Sequence, residues 1–313
     1  MLIYVLRRIL MAIPVMGVVA LVVFGLLYLT PGDPAMVIAG DQATPEQIAK
    51  IRVALGLDQP PYLRFGTWIW QVLQGDLGTS IFSNQTVAQA IGQRLEPTVS
   101  LLIFAVLLSV AVGVPLGVAA AWKKGKLVDR FLSVFTTAGF SIPAFVAGYA
   151  LAFVFASSLH WLPVQGFTPI SQGLWPFLRS LVLPAVTLSL VYAAVIARVT
   201  RAAMLDVLGQ DYIRTAHAKG VGPYLILFRH ALKNAAVPVV TIIGIGIATL
   251  FGATVVTENV FAIPGLGRLT VDAILHRDYP IIQGIVLLSS AAYVLINLLV
   301  DLIYTLVDPR ISY

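Results

Sequence analysis

The side chains that do chemistry in enzymes and metal sites are present in this chain, but their spacing matches no catalytic or metal-binding pattern. No serine lies in a Gly-x-Ser-x-Gly turn, which would expose a nucleophile. The phosphate-binding run Gly-x-x-x-x-Gly-Lys-Ser/Thr is also missing, since Gly125-Lys126 is followed by Leu127. The histidines, which share neither a helix nor metal-ligand spacing, are His160, His217, His230 and His276. We therefore predict no catalytic residue, no metal and no cofactor on this chain.

A few ionisable side chains lie in or beside long apolar runs, where a charge at mid-depth would mark an ion pathway. They are Glu258, Arg198, Arg201 and Asp301. All of them fall near the ends of apolar runs, so we predict structural or interfacial roles. Asn297 and Asp301 could join helices to a partner.

The composition identifies the elements that carry these residues as membrane helices. Of 313 residues, 59% are hydrophobic and 11% are charged, whereas charged residues make up about 25% of a soluble domain. The formal net charge is +6, but no nucleic-acid-binding pattern accompanies the basic residues. We therefore expect lipid, and no nucleic acid, around the chain. Because cysteine is absent, disulfides and thiolate sites are excluded.

Six apolar stretches are long enough to cross a bilayer core of about 30 Å, which takes about 20 helical residues. They must be helices, because open strands leave peptide groups unpaired in hydrocarbon. Pro115, Pro143 and Pro184 predict kinks. The predicted spans are 9–30, 98–121, 131–156, 180–202, 235–257 and 281–307. The predicted fold is thus an all-α integral membrane protein with a single transmembrane domain over residues 1–313.

The distribution of Lys and Arg predicts that both termini face the cytoplasm. Loop 31–97 would then lie outside and loop 203–234 inside. In the outer loop, Thr44-Pro45-Glu46-Gln47 predicts a helix start and Gly56 its end. The aromatic stretch from Tyr62 to Leu73 is typical of a helix at the membrane interface.

The inner loop is too polar to insert into the membrane and too periodic for a random linker. We predict that Asp211 caps a short amphipathic helix, over about 209–220, that protrudes into the cytosol. Lys219 would lie at the negative end of this helix, and Gly220 would terminate it. The alternative is that the helix only connects two spans and lies among headgroups.

The same loop carries a specific sequence. It contains Asp211-Tyr212-Ile213-Arg214-Thr215-Ala216-His217-Ala218-Lys219-Gly220, then Arg229–Ala235 and Pro238–Thr241. This segment resembles the coupling segment of the dipeptide/oligopeptide/nickel permeases, the B-type membrane subunits of peptide-type ATP-binding-cassette (ABC) importers. Further motifs similar to that family occur in order at Tyr4–Arg8, Pro31–Ala35, Leu55–Asp58, Gly75–Gly78, Pro264–Arg268, Arg277–Pro280, Asn297–Asp301 and Asp308–Arg310.

One departure from the pattern of importer permeases in general concerns the coupling segment. Those permeases have Glu-Ala-Ala followed three residues later by Gly, whereas Arg214-Thr215-Ala216 precede Gly220 here. Pro238 also lies farther downstream than the general pattern places its proline. Peptide-type permeases commonly depart in this way, so the departure favours the peptide-type subfamily among the importer permeases. Arg214 stands at the position of that glutamate here.

The resemblance implies a permease that forms half of a pathway for peptides or related small solutes, such as dipeptides, oligopeptides or glutathione, by ATP-driven alternating access. It implies a second related permease, two ATPase subunits that bind ATP and Mg²⁺, and an extracytoplasmic solute-binding protein. It also implies the plasma membrane of a bacterium or archaeon, the inner membrane in a Gram-negative cell. The implied contact with the ATPase comprises Asp211, Tyr212, Ile213, Arg214, Ala216, Lys219 and Gly220. Tyr212, Ile213 and Ala216 would be its apolar part, and Arg214 and Lys219 could instead be positive-inside anchors.

Other points stay open from the sequence alone. The segment 257–280 is either an ordinary loop or a re-entrant or gating element. The solute and the pore-lining residues are not indicated. An ion-coupled secondary transporter would need mid-membrane acids or broken helices, neither of which is clear. A polytopic membrane enzyme would need a catalytic constellation, for which there is little support.

Overall fold

The computed structural model describes residues 2–29, 33–39, 43–54 and 56–307. Within these ranges the chain is almost entirely helical, and its one pairing of extended backbone is a bridge between Thr79 and Thr86. This confirms the all-α class. Three predicted features, at 31–32, at Leu55 and at 308–310, lie outside the described residues.

The helices follow one another with short connections. They are α1 (Leu2–Leu29), α2 (Pro34–Ala39), α3 (Pro45–Ala54), α4 (Pro61–Leu73), α5 (Val87–Trp122), α6 (Leu127–Ser141), α7 (Ala144–Leu151), α8 (Leu174–Leu208), α9 (Asp211–Ala218), α10 (Pro223–Leu225), α11 (Ala236–Val260), α12 (Leu266–Leu275) and α13 (Tyr279–Val307). Wider π-helical turns continue α7 over Ala152–Ser158 and α10 over Ile226–Leu232.

Five of the described helices are long and apolar enough to cross a membrane: α1, α5, α8, α11 and α13. A sixth candidate consists of α6 and α7 with its π-helical extension, which are bent by 103° relative to each other. The predicted span 131–156 covers this bent pair, and the kink predicted at Pro143 is present. The break lies at Ile142-Pro143, because proline lacks the N–H that would continue the helix and its ring clashes with the preceding turn. Pro115 and Pro184, by contrast, lie within continuous helices.

The chain divides into two compact units, Met1–Leu95 with Leu269–Leu295 and Glu96–Arg268 with Ile296–Tyr313. In the second unit, α8 is more thoroughly buried than the other four long helices. It packs closely on α5 because Gly113 and Gly117 of α5 face it. A Cβ atom added at Gly117 would lie 2.5 Å from the carbonyl oxygen of Ala197. This four-residue spacing of glycines is typical of helices whose backbones approach closely in membranes.

The contact between α8 and α11 also depends on a glycine. The ring of Tyr192 in α8 occupies the space where Gly246 of α11 would carry a side chain. The Tyr192 hydroxyl donates a hydrogen bond to the carbonyl oxygen of Ile242. The two helices are thus joined by packing and by a polar contact.

In the first unit, the predicted capping box at the start of α3 is confirmed. The Thr44 hydroxyl accepts a hydrogen bond from the Gln47 N–H at 3.3 Å, and the Gln47 side chain accepts one from the Thr44 N–H at 2.9 Å. The predicted helix over Tyr62–Leu73 is also present as α4, which packs through Phe65 and Trp68 on Phe24 of α1.

A buried acid that the sequence did not single out lies in the same unit. The carboxylate of Asp278, just before α13, accepts hydrogen bonds from the Ser80 hydroxyl and the Ile81 N–H. It fixes the loop before α5 to the start of α13, and its partners are about 200 positions away in the sequence, beyond the reach of any local pattern.

Candidate functional site

The short amphipathic helix predicted over about 209–220 is present as α9 (Asp211–Ala218). Its predicted cap is wrong by one residue. Gln210 is in extended conformation and occupies the N-cap position, so that Asp211 is the first helical residue. The Asp211 carboxylate lies 3.3 Å from the guanidinium of Arg214 and still carries its charge at the positive end of the helix.

The end of α9 is as predicted. Gly220 has a φ of +76°, a left-handed conformation that favours glycine. The N–H of Gly220 donates to the carbonyl of His217 at 2.9 Å, and that of Val221 donates to the carbonyl of Ala216 at 3.1 Å. These two bonds form a Schellman motif, with Lys219 as the C-cap residue. Gly220 therefore sets the direction in which the chain leaves α9.

One face of α9 is buried against the chain itself. Ile213 is 2% exposed and Ala216 is 9% exposed, and both pack on fully buried Ile226 in the segment after α10. Their spacing of three residues puts them on the same side of the helix. Ile213 and Ala216 are thus buried within the chain itself, and their predicted contact with a partner stays a prediction. They anchor α9.

The opposite face of α9 is exposed. It carries the paired charges of Asp211 and Arg214 together with Thr215, whose hydroxyl donates to the Asp211 carbonyl at 3.0 Å. Tyr212 lies at the edge of this face and is 45% exposed. Lys219 is exposed at the helix end. The sequence prediction left Thr215 out, although helical spacing puts it on the side away from Ile213.

The support beneath α9 is apolar. The π-helical segment Ile226–Leu232 buries Ile226 on α9, while Leu227 and Ala231 pack with Met204 near the end of α8 and with Val118 of α5. Tightly packed interiors transmit displacement rather than absorb it. A force on α9 would therefore be carried to the ends of two long helices.

The segment 257–280 is ordered by a buried acid. Glu258 is fully buried near the end of α11; its Oε1 accepts a hydrogen bond from the Thr98 hydroxyl at 2.6 Å, and its Oε2 accepts one from the Arg268 N–H at 3.0 Å. The Thr98 oxygen in turn accepts the N–H of Leu266 at 2.8 Å. Glu258 has the structural role predicted for it. The segment forms a turn and α12 rather than an irregular loop, and its gating role stays a prediction.

The predicted structural role of Arg201 is also confirmed. Its guanidinium binds the Asp129 carboxylate through two contacts of 2.5 and 2.9 Å. Across the described ranges, no group of three or more His, Cys, Asp or Glu side chains could hold a metal ion.

Comparison with known proteins adds the context for these features. A family model described as the binding-protein-dependent transport system inner membrane component matches residues 113–313, and the model of its N-terminal part matches residues 1–102. A probable peptide ABC transporter permease of Sinorhizobium fredii is 55% identical over 311 residues, 99% of each chain. A glutathione transport system permease of Salmonella typhimurium is 44% identical, and a dipeptide transport system permease of Alkalihalophilus pseudofirmus is 40% identical, each over 100% of both chains.

A solved structure is similar in fold. It is an inward-facing form of a methionine ABC transporter, and it matches with a TM-score of 0.57 and 19% identity over 70% of this chain and 97% of that one. At this identity the similarity concerns the fold alone.

Proposed function

The chain belongs to the family of binding-protein-dependent transport system inner membrane components, and we propose that it is the permease of an ATP-driven peptide importer in a bacterial inner membrane. The multi-pass membrane character follows from the family and the apolar helices. The relatives described above are bacterial and are named for peptide, dipeptide and glutathione transport, which supports peptides or peptide-like solutes as the cargo. They are transport permeases rather than enzymes, which argues against a membrane enzyme.

The energy source must be supplied by other subunits. This chain has no phosphate-binding run, so ATP and Mg²⁺ would be bound by two ATPase subunits. A second, related permease would complete the pathway, and an extracytoplasmic binding protein would deliver the solute. This dependence on ATP would distinguish the protein from an ion-coupled secondary transporter.

The contact with the ATPase would be the exposed face of α9, on the cytoplasmic side of the membrane. The observation that carries this proposal is the division of α9 into two faces: Ile213 and Ala216 hold it to the body of the chain, and the side bearing Tyr212 and Arg214 is exposed. A helix anchored in this way can pass a rigid-body movement to α8 and α5. Closure of the ATPases on ATP would thus open the pathway outward, and release of the products would reset it inward.

The residues of the predicted contact set would have two different roles, contact with the ATPase and anchoring of α9. Asp211, Tyr212, Arg214 and Lys219 would meet the ATPase, with Arg214 and Lys219 also able to act as positive-inside anchors. Ile213 and Ala216 would keep α9 in place, and Gly220 would fix where it ends.

The test compares two tyrosines of the same region. Tyr212→Asp should reduce recovery of the ATPase subunits with the tagged chain in mild detergent about tenfold or more, the loss expected for a contact worth about 2 kcal/mol. It should also abolish stimulation of ATP hydrolysis by solute-loaded binding protein. Tyr224→Asp, at a tyrosine of α10 that is 78% exposed, is the matched control and should leave both measurements unchanged. Equal effects of the two substitutions, or transport by the purified chain without ATP, would overturn the proposal.

A further inference from the structure

A polar cavity of about 280 Å³ lies between α6 and α8. Apart from one leucine, every residue that lines it carries a hydroxyl or a guanidinium group. The lining residues are Leu132, Ser133, Thr136, Thr137, Arg198 and Arg201. Both helices are candidate parts of membrane spans, where charged groups are rare and mark water-filled or solute-binding spaces.

The charge of Arg201 in this cavity is already balanced. Asp129 accepts two hydrogen bonds from its guanidinium, at 2.5 and 2.9 Å, and a third from the backbone N–H of Gly125 at 2.9 Å. The pair is therefore neutral, and one positive charge is left in the cavity.

That charge belongs to Arg198. Its guanidinium lies over the ring of Phe140, 4.7 Å from the ring centroid. Such stacking uses the flat face of the guanidinium and leaves the N–H groups on its edge available. In the described part of the chain, no carboxylate or carbonyl oxygen accepts a hydrogen bond from Arg198.

The hydroxyl groups of the cavity supply hydrogen-bond acceptors, whereas Arg198 supplies donors. Ser133 donates to the carbonyl of Asp129 at 3.1 Å, and Thr136 and Thr137 donate to the carbonyl of Ser133 at 3.0 and 2.9 Å. Each hydroxyl has a single proton, which these bonds use, so it can only accept from a ligand. The cavity thus combines one cation with several acceptors.

We propose that this cavity binds the terminal carboxylate of a peptide in transit, with Arg198 as its ionic partner and the hydroxyl of Ser133 as an acceptor for a peptide N–H group. A peptide supplies both groups, whereas a simple inorganic anion supplies no N–H donor. Arg198 thereby becomes a specificity-determining residue of the pathway. The inference rests on the proposed function and names the chemical feature of the solute that the permease itself recognises.

The first test measures the charge preference of the cavity in the assembled transporter, reconstituted in phosphatidylcholine vesicles without ATP. Because this chain has no cysteine, Thr137→Cys provides one thiol on it at the cavity. Its modification by anionic sulfonatoethyl and cationic trimethylammonioethyl methanethiosulfonate is followed by mass spectrometry of this chain. Adding Arg198→Gln should lower the anion-to-cation rate ratio about thirtyfold, because a unit charge about 4 Å away in a water-like medium speeds the anionic reagent about sixfold and slows the cationic reagent by the same factor.

The matched control removes the same charge from α6 outside the cavity lining. Arg130→Gln should change the ratio less than about twofold, since an exposed charge farther from the thiol is screened. An unchanged ratio with Arg198→Gln, or an equal fall with Arg130→Gln, would overturn the proposal.

The second test identifies the ligand. Millimolar alanyl-alanine should slow modification of Thr137→Cys by the anionic reagent, its C-terminal amide should protect several-fold less, and Arg198→Gln should remove the difference. Equal protection by acid and amide, or no protection by either, would overturn carboxylate binding. Since this assay uses no ATP, its failure is distinct from a failure of ATPase coupling at α9.

Lipid phosphate is the other source of an oxyanion for Arg198. The effect of Arg198→Gln on the rate ratio should be the same in vesicles of pure phosphatidylcholine and in equal parts of phosphatidylcholine and phosphatidylglycerol. Loss of that effect in the anionic vesicles would mean that a lipid headgroup neutralises Arg198, and it would overturn the solute site.

Discussion

Glu258 illustrates how single residues hold the helices of this permease together. A fully buried carboxylate is costly unless it accepts hydrogen bonds, and Glu258 accepts them from Thr98 and from the backbone of Arg268. The nearby glycines make room for it, since a Cβ atom at Gly265 would lie 2.3 Å from the carboxylate carbon. One side chain thus joins the start of the α5 span, the end of α11 and the start of α12.

Removal of that carboxylate should destabilise the folded protein. We expect Glu258→Ala to lower the free energy of unfolding by about 1–3 kcal/mol, because the Thr98 hydroxyl and the Arg268 N–H lose a buried acceptor. Chemical unfolding of the detergent-solubilised protein measures this change. Glu96→Ala is the control, since Glu96 is exposed and accepts one backbone bond, from Ile170. A cost no larger for Glu258 than for Glu96 would contradict the structural role of Glu258.

At the scale of helices, features that depend on neighbouring residues could be predicted from the sequence, whereas contacts between residues far apart in the sequence could not. Gly220 could be predicted as the end of α9 because a left-handed residue there depends on the local sequence. Pro143 marked a bend for the same reason, but its size of 103° depends on what the following helix packs against. The burial of Ile213 depends on Ile226, which the amphipathic pattern of α9 does not reveal. Glu258 likewise meets a threonine 160 positions away.

The crossing of α5 and α8 gives a prediction for a whole helix pair. Gly117→Val should force the two helices apart, because the new Cβ would lie 2.5 Å from the Ala197 backbone oxygen, which cannot move aside as a flexible side chain can. We expect a loss of about 1–3 kcal/mol in stability, or more if the helices cannot shift. Thermal aggregation in detergent reports it. Gly92→Val lies on the same helix with no atom within 4 Å of the new Cβ and should have little effect, so similar melting of both variants would argue against close packing at Gly117.

At the scale of the whole molecule, the proposed coupling depends on which ends of the helices face the cytoplasm. Basic residues around 123–130 and 198–233 predict, by the positive-inside rule, that α9 lies on the cytoplasmic side. The same orientation would place α3 and α4 outside, where a solute-binding protein would dock. A permease inserted the other way would present Tyr212 to the wrong compartment, so orientation is a condition for the coupling proposed above.

The natural absence of cysteine makes this orientation directly testable. A single cysteine at Gln59, in the predicted outer loop, should react with a membrane-impermeant maleimide in spheroplasts whose plasma membrane is intact. A cysteine at Lys124, in the exposed turn between α5 and α6, should react only after the membrane is permeabilised. The unmodified chain has no thiol and supplies the blank. Labelling at Lys124 in intact spheroplasts would show that the topology is the reverse of the predicted one. In that case α9 could not contact ATPases in the cytoplasm.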